Sequence, residues 1–177
     1  MLPLKLLNVI IFKIMNKKLS ILIIFNFLVL CCNSQSKLNE KFNLMPWPTN
    51  VTENHLKFMI DSDLTISING KDQGRVHNAA TNFLRRLSNR TGVFFNEGFP
   101  IKTQNGTLVI TFDSVSKLTI DNDESYSLKI ESNKIYIKAK TDIGTLRGLE
   151  TLLQLTDNDI FNYYFTGVII KDSPRFV

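Results

Sequence analysis

Two short segments near the middle of the chain constrain its fold most, because both alternate between apolar and polar residues. Residues 125–130 (SYSLKI) and 134–140 (KIYIKAK) direct successive side chains to opposite faces, which is typical of half-buried β-strands. Ser132 and Asn133 lie between them and are common turn residues, so the pair predicts a β-hairpin. The fold must therefore contain antiparallel strands with one covered face.

Two amphipathic segments can cover that face. Residues 75–90 carry apolar side chains every three or four positions, which predicts a helix with one apolar stripe, and Gly92 lies just past its end. Residues 142–155 repeat leucine in the same way. Thr141 or Asp142 is expected to cap the start of this second helix.

Three further strands complete the predicted elements. They cover residues 64–68, 107–112 and 165–170. The predicted order is strand, helix, strand, hairpin, helix, strand. We therefore predict an α+β domain over residues 37–171, in which two helices pack on one face of a mostly antiparallel sheet.

The charge distribution excludes a nucleic-acid partner. The chain has a formal net charge of +5, but residues 1–40 hold five Lys and one Glu and so supply most of the excess. The predicted domain is nearly neutral, whereas nucleic-acid binding needs basic residues clustered on one face.

Cysteine and histidine usage argues against a metal centre. The only cysteines are Cys31 and Cys32, so the predicted domain has no disulfide or thiolate ligand. The only histidines, His55 and His77, are far apart and lack the spacing of zinc ligands. We expect neither a metal nor a cofactor.

Residues 1–36 are organised like an export signal. Lys17 and Lys18 precede an apolar run at residues 19–30, and polar residues follow at 33–36. We predict a signal peptide or a lipoprotein leader, with the mature domain secreted, periplasmic or on the cell surface. Membrane contact is expected only through this leader or a lipid.

Cys31 and Cys32 are candidate lipidation sites because they directly follow the apolar run. A lipoprotein signal requires a small residue before the modified cysteine, whereas here that residue is Leu30 or Cys31. Cleavage without lipidation is therefore favoured, and an anchored form in the outer membrane is the alternative.

The densest acidic group is Asp121, Asp123 and Glu124. Paired carboxylates can catalyse glycoside hydrolysis. However, Asp and Asn directly before a strand are standard turn residues, so we interpret this group as a turn.

Two other candidates on the first helix also have a structural interpretation. His77 lies next to the apolar stripe and is expected at its edge. Arg85, Arg86 and Arg90 could meet an anionic partner, but a solvated helix face is the better interpretation.

Three segments resemble the accessory domain of family 20 glycoside hydrolases. Residues 123–128 (DESYSL) resemble its D-E-x-Y-x-L strand, and residues 144–155 (GTLRGLETLLQL) resemble its second helix, GxxRGLxTLxQL. Residues 172–176 (DSPRF) resemble the D-x-P-R-F segment that leads into the catalytic barrel. The signature positions are Tyr126, Arg147, Gly148, Gln154, Pro174, Arg175 and Phe176.

The resemblance implies the N-terminal domain of a β-N-acetylhexosaminidase, an enzyme that removes terminal β-linked GlcNAc or GalNAc. Such enzymes use substrate-assisted retaining hydrolysis, and their acidic pair lies in an H-x-G-G-D-E motif on the barrel. Residues 1–177 contain no such motif. We therefore expect no catalytic residue here and an inactive fragment.

The resemblance also implies a downstream partner. Residues 172–177 are expected to begin a catalytic TIM barrel, and glycan is expected to bind only through that barrel. The family's sugar-binding arginine follows the PRF segment, so Arg175 is not that residue.

Two alternatives remain. The first is the similar accessory domain of another glycosidase family, such as α-glucuronidases or O-GlcNAc hydrolases, although the PRF segment favours hexosaminidases. The second is a stand-alone surface lipoprotein that binds sugar or a protein partner. It would need exposed aromatic residues, and the candidates are Trp47 and residues 163–165, the latter better explained by core packing.

Overall fold

The computed structural model describes residues 41–71, 74–117, 119 and 122–173. The predicted leader with Cys31 and Cys32, and the signature positions Pro174, Arg175 and Phe176, lie outside these residues. The domain considered below belongs to a compact unit that begins at Asn43.

Seven strands and two helices make up the described domain. The strands are β1 (Asn50–Met59), β2 (Ile66–Asn69), β3 (Leu108–Ser114), β4 (Tyr126–Ile130), β5 (Ile135–Thr141), β6 (Thr156–Asn158) and β7 (Tyr163–Asp172). The helices are α1 (Gly74–Thr91) and α2 (Asp142–Gln154). Within the described residues, neither helix is long and apolar enough to cross a membrane.

The strands form one mixed sheet in the order β1-β7-β4-β5-β3-β2, with β6 paired to β7. Four strand pairings are antiparallel, and the pairings of β3 with β2 and with β5 are parallel. The α+β prediction with a mostly antiparallel sheet is therefore confirmed. The β2–β3 pair is parallel because α1 carries the chain back across the sheet between them.

Both helices pack on one face of this sheet. Gly148 lets α2 approach closely, since a Cβ at this position would lie 2.8 Å from the Cγ2 of Ile137. On α1, the ring of Phe83 stacks on that of Phe165 with 6.4 Å between centroids. Residue Arg90 joins the helices by donating to the backbone oxygen of Leu153 at 3.0 Å.

The helix ends agree with the predicted signals. The Thr141 hydroxyl accepts a hydrogen bond from the Gly144 amide at 3.2 Å, which caps α2 as expected. Gly92 follows α1 with a φ of 73°, a left-handed conformation that glycine adopts without steric cost.

A buried carboxylate organises the start of α2. Asp142 is only 1% exposed, and it forms an ion pair with Arg75 of α1. Its Oδ1 accepts hydrogen bonds from the amides of Ser116 at 2.8 Å and Ile143 at 3.0 Å. This side chain therefore joins α1, α2 and the segment after β3.

The sequence did not predict β1, because a bulge interrupts its alternation. The pairing register of β1 with β7 shifts between Glu53 and Lys57, and His55 has a φ of 59°. Inside the bulge, Asn54 donates from Nδ2 to the backbone oxygen of Ile130 at 2.8 Å. A Cβ on Gly167 would lie 2.1 Å from the Asn54 Oδ1. Only glycine therefore fits at this position of β7, next to the bulge.

Ser67 provides a test of the packing around β2. The residue is fully buried, and its Oγ has no hydrogen-bond partner among the described residues. We expect Ser67→Ala to leave the free energy of unfolding unchanged or to raise it by up to about 1 kcal/mol, because it removes an unpaired buried hydroxyl. Urea denaturation measures this.

The control is Thr91→Val, which replaces a buried hydroxyl that donates to the backbone oxygen of Leu87 at 2.8 Å. The free energy of unfolding of this variant should be lower by about 1 kcal/mol. A loss of that size in Ser67→Ala as well would contradict the assignment of Ser67 as unpaired.

Candidate functional site

Three of the described signature residues, Tyr126 of β4 and Arg147 and Gln154 of α2, line one open groove of about 550 Å³. It is lined by Met45, Pro46, Glu124, Tyr126, Arg147, Glu150, Thr151, Gln154, Asp172 and Ser173. Arg147, Thr151 and Gln154 share one face of α2 because they are three or four residues apart.

Tyr126 sits at the start of β4 and contributes to the groove lining. Its hydroxyl shares a hydrogen bond of 2.6 Å with that of Thr151. Burial raises the pKa of Tyr126 to about 12, and the nearby Asp172 carboxylate also disfavours the phenolate. Tyr126 is therefore a neutral hydrogen-bonding group at physiological pH.

Gln154 holds the segment that leads into β1, residues 44–49, which we term the opening segment. The Met45 amide donates to Gln154 Oε1 at 2.8 Å, and Gln154 Nε2 donates back to the Met45 oxygen at 3.1 Å. The side-chain amide of Gln154 therefore accepts from and donates to the backbone of Met45, as the backbone of a neighbouring β-strand would.

The opening segment also contacts the end of β7. The amide and the hydroxyl of Thr49 both donate to the Oδ1 of Asp172, each at 3.0 Å. The two ends of the described domain therefore meet beside the groove.

Arg147 forms an ion pair with Glu124, which also lines the groove. Its Nε and Nη2 donate to the two carboxylate oxygens of Glu124 at 2.8 and 3.0 Å. The hydrogen bond with Glu124 raises the pKa of the Arg147 guanidinium. The neighbouring Glu150 forms an ion pair with Arg86 of α1.

The turn interpretation of the acidic group is confirmed for Asp123. Its Oδ1 accepts from the amide of Ser125 at 2.9 Å, and its Oδ2 lies 3.2 Å from the Nζ of Lys140. The hydrogen bonds with Ser125 lower the pKa of Asp123. Asp123 therefore pairs with Lys140, whereas Glu124 pairs with Arg147. Asp121 lies outside the described residues.

The candidate residues on α1 lie where the sequence predicted them. His77 is half-buried on α1, and Arg85, Arg86 and Arg90 are exposed, as predicted. Their contacts were not predicted, since two of these arginines bind α2 or its C-terminal end.

The remaining histidine and the aromatic run can be placed in the same way. His55 lies in the β1 bulge, with Nδ1 3.4 Å from a carboxylate oxygen of Glu53. Over the described ranges, no three His, Cys, Asp or Glu side chains are grouped so that they could hold a metal ion. Tyr164 and Phe165 are buried, which confirms core packing, whereas Trp47 is half-buried.

Sequence reasoning missed the contributions of Met45 and Asp172 to the groove, and the contact of Thr49 with Asp172. The contact of Met45 with Gln154 joins residues 109 positions apart. No local pattern can reveal such a contact, and the only signal was the resemblance that marked Gln154.

The role of Gln154 can be tested directly. We expect Gln154→Ala to lower the free energy of unfolding by about 1 kcal/mol, because two hydrogen bonds to Met45 are lost. The emission of Trp47, the only tryptophan, should also shift to longer wavelength as the opening segment loosens. The control is Gln104→Ala in the exposed loop before β3, which should change neither property. An unchanged Trp47 spectrum in Gln154→Ala would contradict this role.

The mixed sheet, its two helices and the groove define an α+β accessory domain of the kind found in family 20 glycoside hydrolases. The sequence profile of the family described as "beta-acetyl hexosaminidase like" matches residues 44–155. The chain therefore belongs to this family.

Known structures and sequences resemble the chain to different extents. The crystal structure of a chitobiase from Flavobacterium johnsoniae superposes with a TM-score of 0.75 and 44% identity, covering 78% of this chain and 22% of that one. An exo β-N-acetylglucosaminidase from Vibrio harveyi gives a TM-score of 0.56 and 26% identity, covering 76% and 19%.

Beta-hexosaminidase subunit A2 of Dictyostelium discoideum is 29% identical over 169 residues, covering 91% of this chain and 30% of that protein. The chain thus spans less than a third of the length of these relatives.

Proposed function

We propose that the chain is the non-catalytic N-terminal domain of a secreted β-N-acetylhexosaminidase and acts as a scaffold for a catalytic barrel that starts at residue 172. The complete enzyme would remove terminal β-linked GlcNAc or GalNAc from glycans, and this chain alone would be inactive. Glycan would reach the protein only through the barrel.

One observation carries the scaffold role: the described signature side chains hold parts of the domain together. Tyr126 contacts Thr151, Arg147 contacts Glu124, and Gln154 contacts Met45. General acid–base catalysis needs a group whose pKa lies near the working pH and that can reach a substrate proton. A tyrosine with a pKa of about 12 and ion-paired carboxylates suit a structural role better.

The names of the relatives support the substrate class. They include a chitobiase, an exo β-N-acetylglucosaminidase and a β-hexosaminidase subunit. Export is supported by the leader sequence at residues 1–36, with Cys31 or Cys32 as the lipidated position if an anchor is present.

The experiment compares two proteins on an aryl β-N-acetylglucosaminide. We expect the chain alone to release no aryl alcohol above background. A chimera in which residues 43–171 replace the corresponding domain of the F. johnsoniae chitobiase should fold and keep most of the parental kcat/KM.

Two results would overturn the proposal. One is turnover by the chain alone that rises with its concentration and disappears in Glu124→Gln. The other is a chimera that folds but loses activity, since a scaffold of this family should support the barrel.

A further inference from the structure

We propose that one end of the domain is a docking surface for a protein segment that carries both apolar and cationic side chains. This end, which we term the apolar end, consists of residues 59–63, 93–99 and 157–163. The groove described above is lined by other residues. The docking role is therefore separate from the scaffold role and does not depend on a catalytic barrel.

Hydrogen bonds bring the three segments of the apolar end together. The Ile60 amide donates to the backbone oxygen of Tyr163, and the Asn96 amide donates to that of Ser62, both at 2.9 Å. Asn96 also donates from Nδ2 to the Oδ1 of Asp63 at 2.8 Å. The segments are therefore neighbours in the fold, although they are far apart in the sequence.

The apolar end exposes large apolar side chains to solvent. Ile160 is 91% exposed, Phe161 is 88% exposed and Phe94 is 86% exposed, and Met59 and Phe99 are exposed to a lesser extent. Five of the nine exposed large apolar side chains of the described residues thus belong to this one end. Single exposed apolar residues are normal on a protein surface, whereas a group of them is typical of an interaction site.

The turn that carries Ile160 and Phe161 is held by hydrogen bonds. The Oδ1 of Asp159 accepts from the amide of Phe161 at 3.0 Å and from that of Asn162 at 2.9 Å, and the Asp159 amide donates to the Asn162 oxygen at 2.9 Å. A surface with an ordered backbone loses less conformational entropy when a partner binds. This turn is therefore suited to binding in the conformation that it already has.

The charge of the apolar end indicates the charge of its partner. Its three segments contain five acidic residues and no Lys, Arg or His. Among the described residues, only Asp159 approaches a cation, the Nζ of Lys57 at 3.8 Å. The acidic residues without an ion pair in the described part of the chain are Asp61, Asp63, Glu97 and Asp157.

An apolar surface with unpaired carboxylates around it is complementary to a partner that presents apolar and cationic groups. A second copy of this end, or a membrane of anionic lipids, would instead place negative charge against negative charge. The charge therefore favours a cationic protein segment over these two occupants.

The test compares two designed peptides that differ only in the sign of their charge. One is an amphipathic helix of leucine and lysine, and the other has glutamate at every lysine position. Isothermal titration calorimetry with the full chain should show binding of the lysine peptide only, and added salt should weaken it. Because the chain as a whole has a net charge of +5, its overall charge cannot explain the binding of a cationic peptide.

Variants locate the binding surface. The double variant Ile160→Ser, Phe161→Ser should weaken binding of the lysine peptide by about tenfold or more, because two apolar contacts are lost. The double variant Asp61→Asn, Glu97→Gln should weaken it less and should reduce its dependence on salt. The matched control is Met45→Ser in the groove, where an 82% exposed methionine is removed and the affinity should not change. Thermal melting checks that each variant is folded.

The proposal is wrong if neither peptide binds, if both bind equally well, or if Ile160→Ser, Phe161→Ser leaves the affinity unchanged. Two further measurements examine the other occupants. Sedimentation velocity would identify a second copy as the occupant if the chain self-associates and only the Ile160→Ser, Phe161→Ser variant is monomeric. Binding to vesicles of phosphatidylglycerol and phosphatidylcholine that is lost in the same variant would identify a membrane. Either result would also overturn the proposal.

Discussion

Asp142→Ala is expected to lower the free energy of unfolding by about 3 kcal/mol, because a buried carboxylate with several polar partners is lost. The Ser116 and Ile143 amides would lose their acceptor, and Arg75 would lose its ion-pair partner. For a domain of this size the midpoint of thermal unfolding should fall by about 10 °C. Urea denaturation and calorimetry measure the two quantities.

Three control variants distinguish the contribution of the ion pair to stability from that of the hydrogen bonds. Arg75→Ala should cost less than Asp142→Ala, since Arg75 is 36% exposed and its partner would keep both amide donors. Asp142→Asn should fall between wild type and Asp142→Ala, because the amide oxygen can still accept. Asp113→Ala, at an exposed aspartate of β3, should have almost no effect. A loss below about 1 kcal/mol in Asp142→Ala would contradict its organising role.

Gly167→Ala is expected to cost about 3 kcal/mol, because the added methyl group has no space. The new Cβ would lie 2.1 Å from Asn54 Oδ1 and 2.7 Å from the backbone oxygen of Leu56. Asn54 cannot easily move aside, since its amide binds the Ile130 oxygen and its Oδ1 accepts from the Leu56 amide. Equilibrium unfolding in urea measures the loss.

The matched control is Gly98→Ala, because a Cβ there meets nothing within 4 Å. It should change the free energy of unfolding by less than about 0.5 kcal/mol. In the double variant Asn54→Ala, Gly167→Ala, only part of the stability should return, since the Leu56 oxygen still obstructs the methyl group. A neutral Gly167→Ala would show that the bulge can relax.

The spacing of apolar residues along the sequence was sufficient to predict the elements that have a regular period. The β4–β5 hairpin and both helices have bounds within two residues of those predicted. The bulge in β1 removed the alternation that would have revealed that strand, and the three residues of β6 are too few to form a pattern.

The groove could be predicted only in part. The resemblance marked Tyr126, Arg147 and Gln154, but it did not say what they touch. Their contacts depend on how α2 lies on the sheet and where the opening segment passes, and both are set by tertiary packing. The acidic group illustrates the difference: turn chemistry correctly assigned Asp123, whereas the pairing of Glu124 with Arg147 required the fold.

The two hydrogen bonds from Thr49 to Asp172 bring the beginning and the end of the domain to the same place. A domain whose ends coincide can be inserted into another polypeptide, or deleted from it, while the flanking sequences remain neighbours. Gene rearrangements with breakpoints near codons 43 and 173 would therefore move an intact folding module. Recombination of this kind could spread it among otherwise different enzymes.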